Sequence, residues 1–249
     1  MLFRASGADL VHVLYPTPIS GKAIKLAGKM GIPVTGAAHL QPENISNAMG
    51  TENPLLEKLI TRVFHRCLYS NAGAIHCPSS LAARMLRKQG SRAHFRVVSN
   101  GIPREYRPVE MKRPEWFGDK FVILNIGRHV MSKRQTLLVE ALVKSKYKDK
   151  IQLLLCGKGE YTDRLKKMSE KLPVKPLIEY VSDEDKILYL NTADMYLHPS
   201  VLELEGLSCL EAIGCGLPCV IGNSPISAAS QFALDERFLF PMDDSDALA

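Results

Sequence analysis

Residues 195–218 read MYLHPSVLELEGLSCLEAIGCGLP, and this stretch decides the fold. Its apolar start, through Leu197, predicts the end of a buried strand, and the polar residues that follow predict a loop. Apolar residues then recur at helical spacing from Leu207, and Gly214 and Gly216 predict where that helix ends. A strand, a loop and a helix in this order are typical of a parallel α/β sheet.

The loop in this stretch suits a ligand that carries both phosphates and hydroxyls. Gly206 lets the backbone come close to a ligand, and the helix N-terminus behind it offers free N–H groups to an anion. Glu203 and Glu211 flank that glycine, and carboxylates accept hydrogen bonds from neutral hydroxyls. We therefore predict a binding site for a molecule with phosphates at one end and sugar hydroxyls at the other.

The composition is that of a globular protein of one or two domains, with 249 residues, 46% hydrophobic and 23% charged. No apolar run approaches the roughly 20 residues that span a bilayer, and residues 1–9 lack a signal-peptide core. The six cysteines form no CxxC pair. We expect them to be reduced and buried in a cytoplasmic protein, without a metal site.

The basic charge is concentrated in the N-terminal part. Residues 1–100 hold twelve Lys or Arg and four Asp or Glu, a formal charge of +8, whereas 101–249 hold twenty and twenty-two, a charge of −2. This asymmetry indicates an anionic partner, which is a membrane surface, a nucleic acid or a phosphorylated acceptor. Solubility alone explains it equally well.

Strand and helix patterns alternate through the N-terminal part. Residues 8–16 and 34–39 predict strands around a helix at 20–30, a β-α-β unit, and His39 falls at the carboxyl end of the second strand, where ligand loops lie. Residues 54–69 predict a helix with one apolar stripe and a basic opposite side. Packing on the sheet explains that stripe, and so does a helix that lies on a membrane surface.

The second half repeats the strand and helix alternation after a proline-rich, aperiodic segment at 103–118 that predicts a linker. The apolar run 121–126 predicts a covered parallel strand. Gly127 after it permits a tight turn, and Ser132 would cap the helix predicted from 133 or 134 to 145. Arg128 offers a planar fork of donors and Lys133 a point charge, a pair that suits a diphosphate.

Two motifs carry a resemblance to a known family. Glu203-x7-Glu211, followed by Gly216-x-Pro218, resembles the E-x7-E motif of the retaining, nucleotide-sugar-dependent glycosyltransferases with the GT-B fold, family 4 or group 1. The run 127–133 is similar to the family's G-R-x4-K pattern. One departure is Arg134, which stands where a glycine usually follows the lysine, so that its bulk would crowd the phosphates.

The resemblance implies a GT-B architecture, two Rossmann-like parallel-sheet domains that face a cleft. We expect a partial N-terminal acceptor-side domain at 1–102, a linker at 103–118 and a nucleotide-sugar domain at 119–249. Elements that precede and follow these segments in the family have no counterpart here, so we expect a piece of a longer enzyme that lacks both ends and is not fully active alone.

The resemblance also implies residue roles. Glu211 would hold the ribose hydroxyls, Glu203 would bind the donor sugar, and His39 would reach that sugar from the first domain, which makes His39 and Glu203 the catalytic candidates. The donor would be a nucleotide-diphosphate sugar, a UDP-hexose, with no cofactor or metal required. The donor-binding residues implied are Gly127, Arg128, Lys133, Leu204, Glu205, Gly206, Leu207 and Glu211.

The acceptor and the function class leave alternatives open. The chain is similar to bacterial diacylglycerol glucosyltransferases in residues 75–79, 86–88, 98–102, 214–218 and 223–225. This resemblance implies a lipid acceptor at the inner face of the membrane, and a polysaccharide or small-molecule acceptor is the alternative. Outside the enzyme class, the chain would be a nucleotide- or nucleic-acid-binding α/β module, or an inactive fragment. Its aromatic residues do not interleave with basic ones, and Glu203 and Glu211 would repel a polyanion, so no nucleic acid is expected.

Overall fold

A computed structural model describes residues 7–249, which divide into two units on either side of the Asn100–Gly101 bond. Each unit is built on a parallel sheet of its own, as predicted. The segment predicted as a linker, 103–118, lies within the second unit. There the Val109 amide donates to Asn191 Oδ1 at 2.8 Å, and Arg113 pairs with Asp194 at 2.9 Å.

The first unit contains a four-stranded parallel sheet whose strands follow one another in chain order. They are β1 (Val11–Val13), β2 (Val34–Ala37), β3 (Ala74–Cys77) and β4 (His94–Val97). The helices are α1 (Pro18–Lys29), α2 (Pro42–Ala48), α3 (Pro54–Phe64) and α4 (Ser80–Lys88). Polar side chains cap three of them: Thr17 accepts from the Ser20 amide and Ser79 from the Ala82 amide, both at 3.2 Å, and Asn53 accepts from the Leu55 amide at 3.0 Å. Helix α2 has no counterpart in the sequence prediction.

Helix α3 continues into a π-helical turn, His65–Tyr69. Within this turn Leu68 is completely buried, and a Cβ built on Gly36 of β2 would lie only 2.7 Å from Leu68 Cδ1. The apolar stripe predicted over 54–69 is therefore split, because its C-terminal part packs into the unit while part of α3 faces solvent. The outward residues are Leu55, Leu59 and Val63, which are 80%, 54% and 40% exposed.

The second unit contains a six-stranded parallel sheet in the order β10-β9-β8-β5-β6-β7. Its strands are β5 (Phe121–Ile126), β6 (Ile151–Cys156), β7 (Leu177–Glu179), β8 (Met195–His198), β9 (Cys219–Asn223) and β10 (Leu239–Pro241). After β7 the chain returns to the centre and places β8 on the other side of β5. The order of the strands thus reverses between β5 and β8, and open α/β sheets bind ligands at the carboxyl ends of the strands at such a point.

Apolar layers cover both faces of this sheet. In β6, Leu154 and Cys156 join the layer under the helix that follows residue 206, whereas Leu153 and Leu155 join the opposite layer. Alternate strand residues point to opposite faces, so a nearly continuous apolar run indicates a strand covered on both sides. The helices are α5 (Gln135–Lys144), α6 (Thr162–Ser169), α7 (Asp183–Thr192), α8 (Leu207–Gly214) and α9 (Ser245–Leu248).

The C-terminal part departs from the sequence prediction. The helix predicted within 223–234 is only a 3-10 turn, Ala229–Phe232. Strand β10 and the short helix α9 were not predicted, since each is too short for a periodic pattern. All six cysteines are buried and free, as expected.

Two glycines after β6 let neighbouring loops come close together. A Cβ on Gly157 would lie 1.9 Å from the Gly127 carbonyl oxygen, and one on Gly159 would lie 2.3 Å from the His129 carbonyl oxygen. A Cβ on Gly127 itself would meet nothing nearer than 3.7 Å. The close approach of these loops therefore depends on Gly157 and Gly159 and not on Gly127.

We expect Gly157→Ala to lower the free energy of unfolding of the second unit by about 1–3 kcal/mol, because a backbone shift must make room for the methyl group. Gly127→Ala, in the same pair of loops, should change it by less than about 1 kcal/mol. Urea unfolding followed by the fluorescence of Trp116, the one tryptophan in the sequence, measures both variants. Equal stability of the two variants would contradict this packing.

Candidate functional site

Two loops meet where the strand order reverses. One follows β5 and contains residues 127–134, and the other follows β8 and contains residues 199–206. The Val201 amide donates to the Ser132 carbonyl oxygen at 3.0 Å, and Ser200 Oγ donates to the same oxygen at 3.3 Å. Ser132 thus joins the loops through its carbonyl and does not cap α5, whose N-cap position is Arg134.

A mostly buried carboxylate lies at the centre of these loops. Lys133 Nζ donates a hydrogen bond to Glu203 Oε1, and His198 Nε2 lies 3.2 Å from the same oxygen. His198 is the last residue of β8, and its ring stacks on Tyr196 with centroids 6.0 Å apart. The structure therefore adds His198 to the candidate site, where its position at a strand end was the only signal in the sequence.

The charges around Glu203 keep its carboxylate ionised. Burial alone raises the pKa of Glu203, but the Lys133 ammonium and the adjacent His198 ring outweigh burial and hold the pKa well below its ordinary value. A buried carboxylate that stays ionised remains a strong hydrogen-bond acceptor at neutral pH. The chemistry available at Glu203 is thus the binding of hydroxyl or cationic donors.

The rest of the β8 loop is fixed by backbone contacts. The Glu203 carbonyl oxygen accepts from the Ala228 amide at 2.8 Å, and Glu205 is buried. Gly206 adopts φ +96°, a left-handed conformation that favours glycine, and forms the N-cap of α8. The N-cap residue Gly206 has no side chain that could cap α8, and the first N–H groups of this helix suit an anion. Leu204 is half-buried and Leu207 is exposed at the loop mouth.

The three basic residues of the β5 loop, Arg128, Lys133 and Arg134, lie in three different surroundings. Lys133 is drawn to Glu203, whereas the Arg128 side chain is exposed. Arg134 adopts φ +49°, and its Nε lies 3.2 Å from Asp243 Oδ1. Arg134 thus places a non-glycine residue in the left-handed region, and its side chain lies toward Asp243. The sequence predicted only that the bulk of Arg134 would crowd the phosphates.

Glu211, on α8, has a cationic partner that the sequence did not reveal. Lys186 Nζ of α7 lies 2.8 Å from Glu211 Oε2, and it also donates to the Tyr106 hydroxyl at 2.9 Å. Lys186 and Tyr106 are 80 positions apart in the chain, so no local pattern connects them. The predicted ribose-binding carboxylate is therefore held in an ion pair.

His39 belongs to the first unit and follows the carboxyl end of β2, as predicted. Its ring lies edge-on to that of His76, with centroids 5.6 Å apart. The two rings occupy the ends of neighbouring strands β2 and β3. Its role toward a donor sugar stays a prediction.

Comparison with protein families decides the identity of the second unit. Residues 107–249, more than half of the chain, match the family described as glycosyl transferases group 1, and residues 1–106 match Glycosyltransferase Family 4. The chain belongs to the group 1 glycosyltransferase family. This glycosyltransferase chain is 23% identical to the alpha-monoglucosyldiacylglycerol synthase of Streptococcus pneumoniae over 87% of its own length and 52% of that protein.

Other relatives and solved structures agree with this membership. A GDP-mannose-dependent phosphatidylinositol monomannoside mannosyltransferase of Mycolicibacterium smegmatis is 28% identical over 55% of the glycosyltransferase chain and 38% of the mannosyltransferase. The structure of Anabaena HepE in complex with UDP-glucose is similar with a TM-score of 0.79 and 18% identity, over 100% of this chain and 69% of HepE. The predicted GT-B class is thereby confirmed. The chain spans about half the length of the curated relatives it matches.

Within residues 7–249 no helix of the glycosyltransferase is long and apolar enough to cross a membrane. In the same range, no three His, Cys, Asp or Glu side chains are grouped so that they could hold a metal ion.

The left-handed conformation of Arg134 is testable with two substitutions at one position. We expect Arg134→Gly to be more stable than Arg134→Ala by about 1 kcal/mol, because only glycine adopts φ +49° without steric cost. Urea unfolding monitored by Trp116 fluorescence gives the comparison.

The matched control is the exposed residue Glu140 inside α5, where the order should reverse. There the free energy of unfolding of Glu140→Ala should exceed that of Glu140→Gly by about 1 kcal/mol, since glycine is unfavourable in a helix interior. If Ala were preferred over Gly at both positions, Arg134 would not be strained.

Proposed function

We propose that this chain forms the donor-binding part and some of the acceptor side of a retaining glycosyltransferase that uses a UDP-hexose. The observation that carries the proposal is the Lys133, Glu203 and His198 cluster at the point where the strand order reverses. Family membership supports sugar transfer as the reaction class. The similarity to a protein solved with UDP-glucose, at 18% identity, is a reason to test that donor first.

Different residues of the second unit bind the diphosphate, the sugar and the ribose of the donor. Lys133 carries more than one N–H donor, so its bond to Glu203 leaves capacity for a phosphate oxygen, and Arg128 adds a second cation on the same loop. The N-terminus of α8, whose N-cap is a glycine, favours the diphosphate as well. Glu203 and Glu211 accept hydrogen bonds from the sugar and the ribose.

In the transfer, the bond between the sugar C1 and the diphosphate oxygen breaks, and a bond from C1 to the acceptor oxygen forms on the same face. The diphosphate leaves with added negative charge, which Arg128 and Lys133 stabilise electrostatically. The acceptor hydroxyl gives up its proton as the new bond forms, and the departing diphosphate oxygen accepts that proton. Glu203, held ionised by Lys133 and His198, orients the sugar hydroxyls during this step.

Removing the Lys133 charge should weaken donor binding. We expect Lys133→Ala to raise the Kd for UDP-glucose about tenfold or more, as the loss of a charge-assisted hydrogen bond implies. Lys144→Ala, which removes an exposed partner of Asp246 at the other end of α5, should leave the Kd unchanged. Isothermal titration calorimetry measures the Kd values, and Trp116 fluorescence checks that each variant is folded.

The proposal fails if the wild-type chain does not bind UDP-glucose at millimolar concentration. It fails equally if Lys133→Ala binds UDP-glucose as tightly as the wild type does while Trp116 reports a folded protein.

We also propose that the acceptor is a diacylglycerol lipid that the enzyme meets at an anionic membrane surface. Helix α3 supports this proposal, because its exposed Leu55, Leu59 and Val63 lie one helical turn apart and Lys58 and Arg62 are exposed between them. Apolar and basic residues on one exposed helix face suit the boundary of an anionic bilayer. The streptococcal relative is named a monoglucosyldiacylglycerol synthase, which agrees with a lipid acceptor.

Vesicle flotation tests the membrane proposal. The wild type should float with vesicles of phosphatidylcholine and phosphatidylglycerol at low salt and be released by salt, because exposed charges are screened. Leu55→Ser with Leu59→Ser should reduce the floated fraction severalfold. Leu234→Ser, which removes an equally exposed leucine of the second unit, should not. Flotation that is absent, or insensitive to the double substitution, would exclude α3 as the contact.

A further inference from the structure

The Glu211 carboxylate has a built support that lies outside the donor-binding residues. Lys186 Nζ is 2.8 Å from Glu211 Oε2, and both side chains are mostly buried, with 18% and 15% exposed. The same ammonium donates to the Tyr106 hydroxyl at 2.9 Å and lies 4.7 Å from the centroid of the Tyr106 ring. Tyr106 therefore holds the Lys186 ammonium through both its hydroxyl and its ring.

The three residues come from three separate segments of the second unit. Tyr106 belongs to the segment that follows Gly101, Lys186 to α7 and Glu211 to α8. Tyr106 is itself anchored, because its side chain packs against the core of the second unit. Its backbone also lies on α8, since a Cβ on Gly214 would be 2.9 Å from the Tyr106 carbonyl oxygen. The phenol is thus a rigid reference point for the ammonium.

Charge and geometry agree on what this support does for Glu211. Burial lowers the pKa of Lys186, but its hydrogen bonds to Glu211 and Tyr106 outweigh burial and raise the pKa, so the ammonium stays charged at neutral pH. A glutamate side chain has several rotatable bonds, and binding one oxygen to a fixed cation selects one arrangement. The ion pair uses Oε2 and leaves Oε1 to accept hydrogen bonds from a ligand.

We propose that Lys186, held by Tyr106, is the positioning residue that orients the Glu211 carboxylate toward the ribose hydroxyls of the donor nucleotide. This inference rests on the proposed function, and specifically on Glu211 as the ribose-binding residue. Lys186 itself does not have to touch the nucleotide. Without it, Glu211 would lose both its orientation and the cation that offsets its charge.

A pair of nucleotides separates positioning from general stabilisation. UDP presents the ribose hydroxyls, and 2′,3′-dideoxy-UDP lacks them, so the ratio of their Kd values measures the ribose contribution alone. We expect the wild type to prefer UDP about tenfold or more, as for hydroxyls that donate hydrogen bonds to a charged carboxylate. Glu211→Gln and Lys186→Met should both reduce the ratio to within about twofold of unity, with the Kd for dideoxy-UDP nearly unchanged.

Conservative variants and a control sharpen the test. Lys186→Arg retains the charge and should recover part of the preference, and Tyr106→Phe retains the ring but loses the hydroxyl, so its ratio should fall between those of wild type and Lys186→Met. Lys144→Met removes an unrelated ion pair, with Asp246 at 2.8 Å, and should keep the wild-type ratio. Calorimetry gives all the Kd values.

Each failure has a distinct signature. If Lys186→Met weakens UDP and dideoxy-UDP by the same factor, Lys186 only stabilises the structure and the inference is wrong. If Glu211→Gln abolishes the preference and Lys186→Met keeps it, the inference is wrong and the proposed function stands. If the wild type binds UDP without preferring it over dideoxy-UDP, Glu211 does not meet the ribose and the inference falls. A wild type that binds neither nucleotide overturns the proposed function as well.

Discussion

The ionised carboxylate of Glu203, buried between Lys133 and His198, is the interaction on which the candidate site depends. A carboxylate removed from water needs a nearby cation, and breaking a buried pair typically costs about 3–5 kcal/mol. Lys133 and Glu203 lie on the loops after β5 and β8, so their pairing fixes these loops against each other at the point where the strand order reverses. Gly157 and Gly159 let the loop after β6 pack closely against the loop after β5, at the same edge of the sheet.

Both glutamates of the E-x7-E motif are paired with lysines that the motif does not contain. Glu203 meets Lys133 from the β5 loop, and Glu211 meets Lys186 from α7. Two uncompensated carboxylates beside a diphosphate would repel it, and the two ammonium groups remove that repulsion. The loop can therefore accept an anion at the helix N-terminus and hydroxyls at its carboxylates at the same time. This compensation reconciles the acidic motif with an anionic ligand.

Sequence reasoning succeeded where the physical signal was local. The run 121–126 predicted a covered strand because its apolar residues are continuous, and β5 occupies that range. Arg134 was noticed as a departure, but its left-handed backbone follows from the loop geometry and could not be derived from composition. The Lys186–Glu211 pair joins two helices, and no spacing rule reaches across them. Helical periodicity predicted the stripe of α3, yet it could not say which neighbour each turn would meet.

The π-helical turn His65–Tyr69 follows the partly exposed helix α3 and carries the chain into the buried interior of the first unit. A wider turn changes the direction in which later side chains point, so the residues before it and those after it occupy different faces. Leu68 packs against Gly36 of β2, where an added Cβ would force the Leu68 side chain to shift. Leu55 and Leu59 carry no such restriction. Substitutions on the outer surface of α3 can therefore change what the protein binds there while the inner packing stays the same.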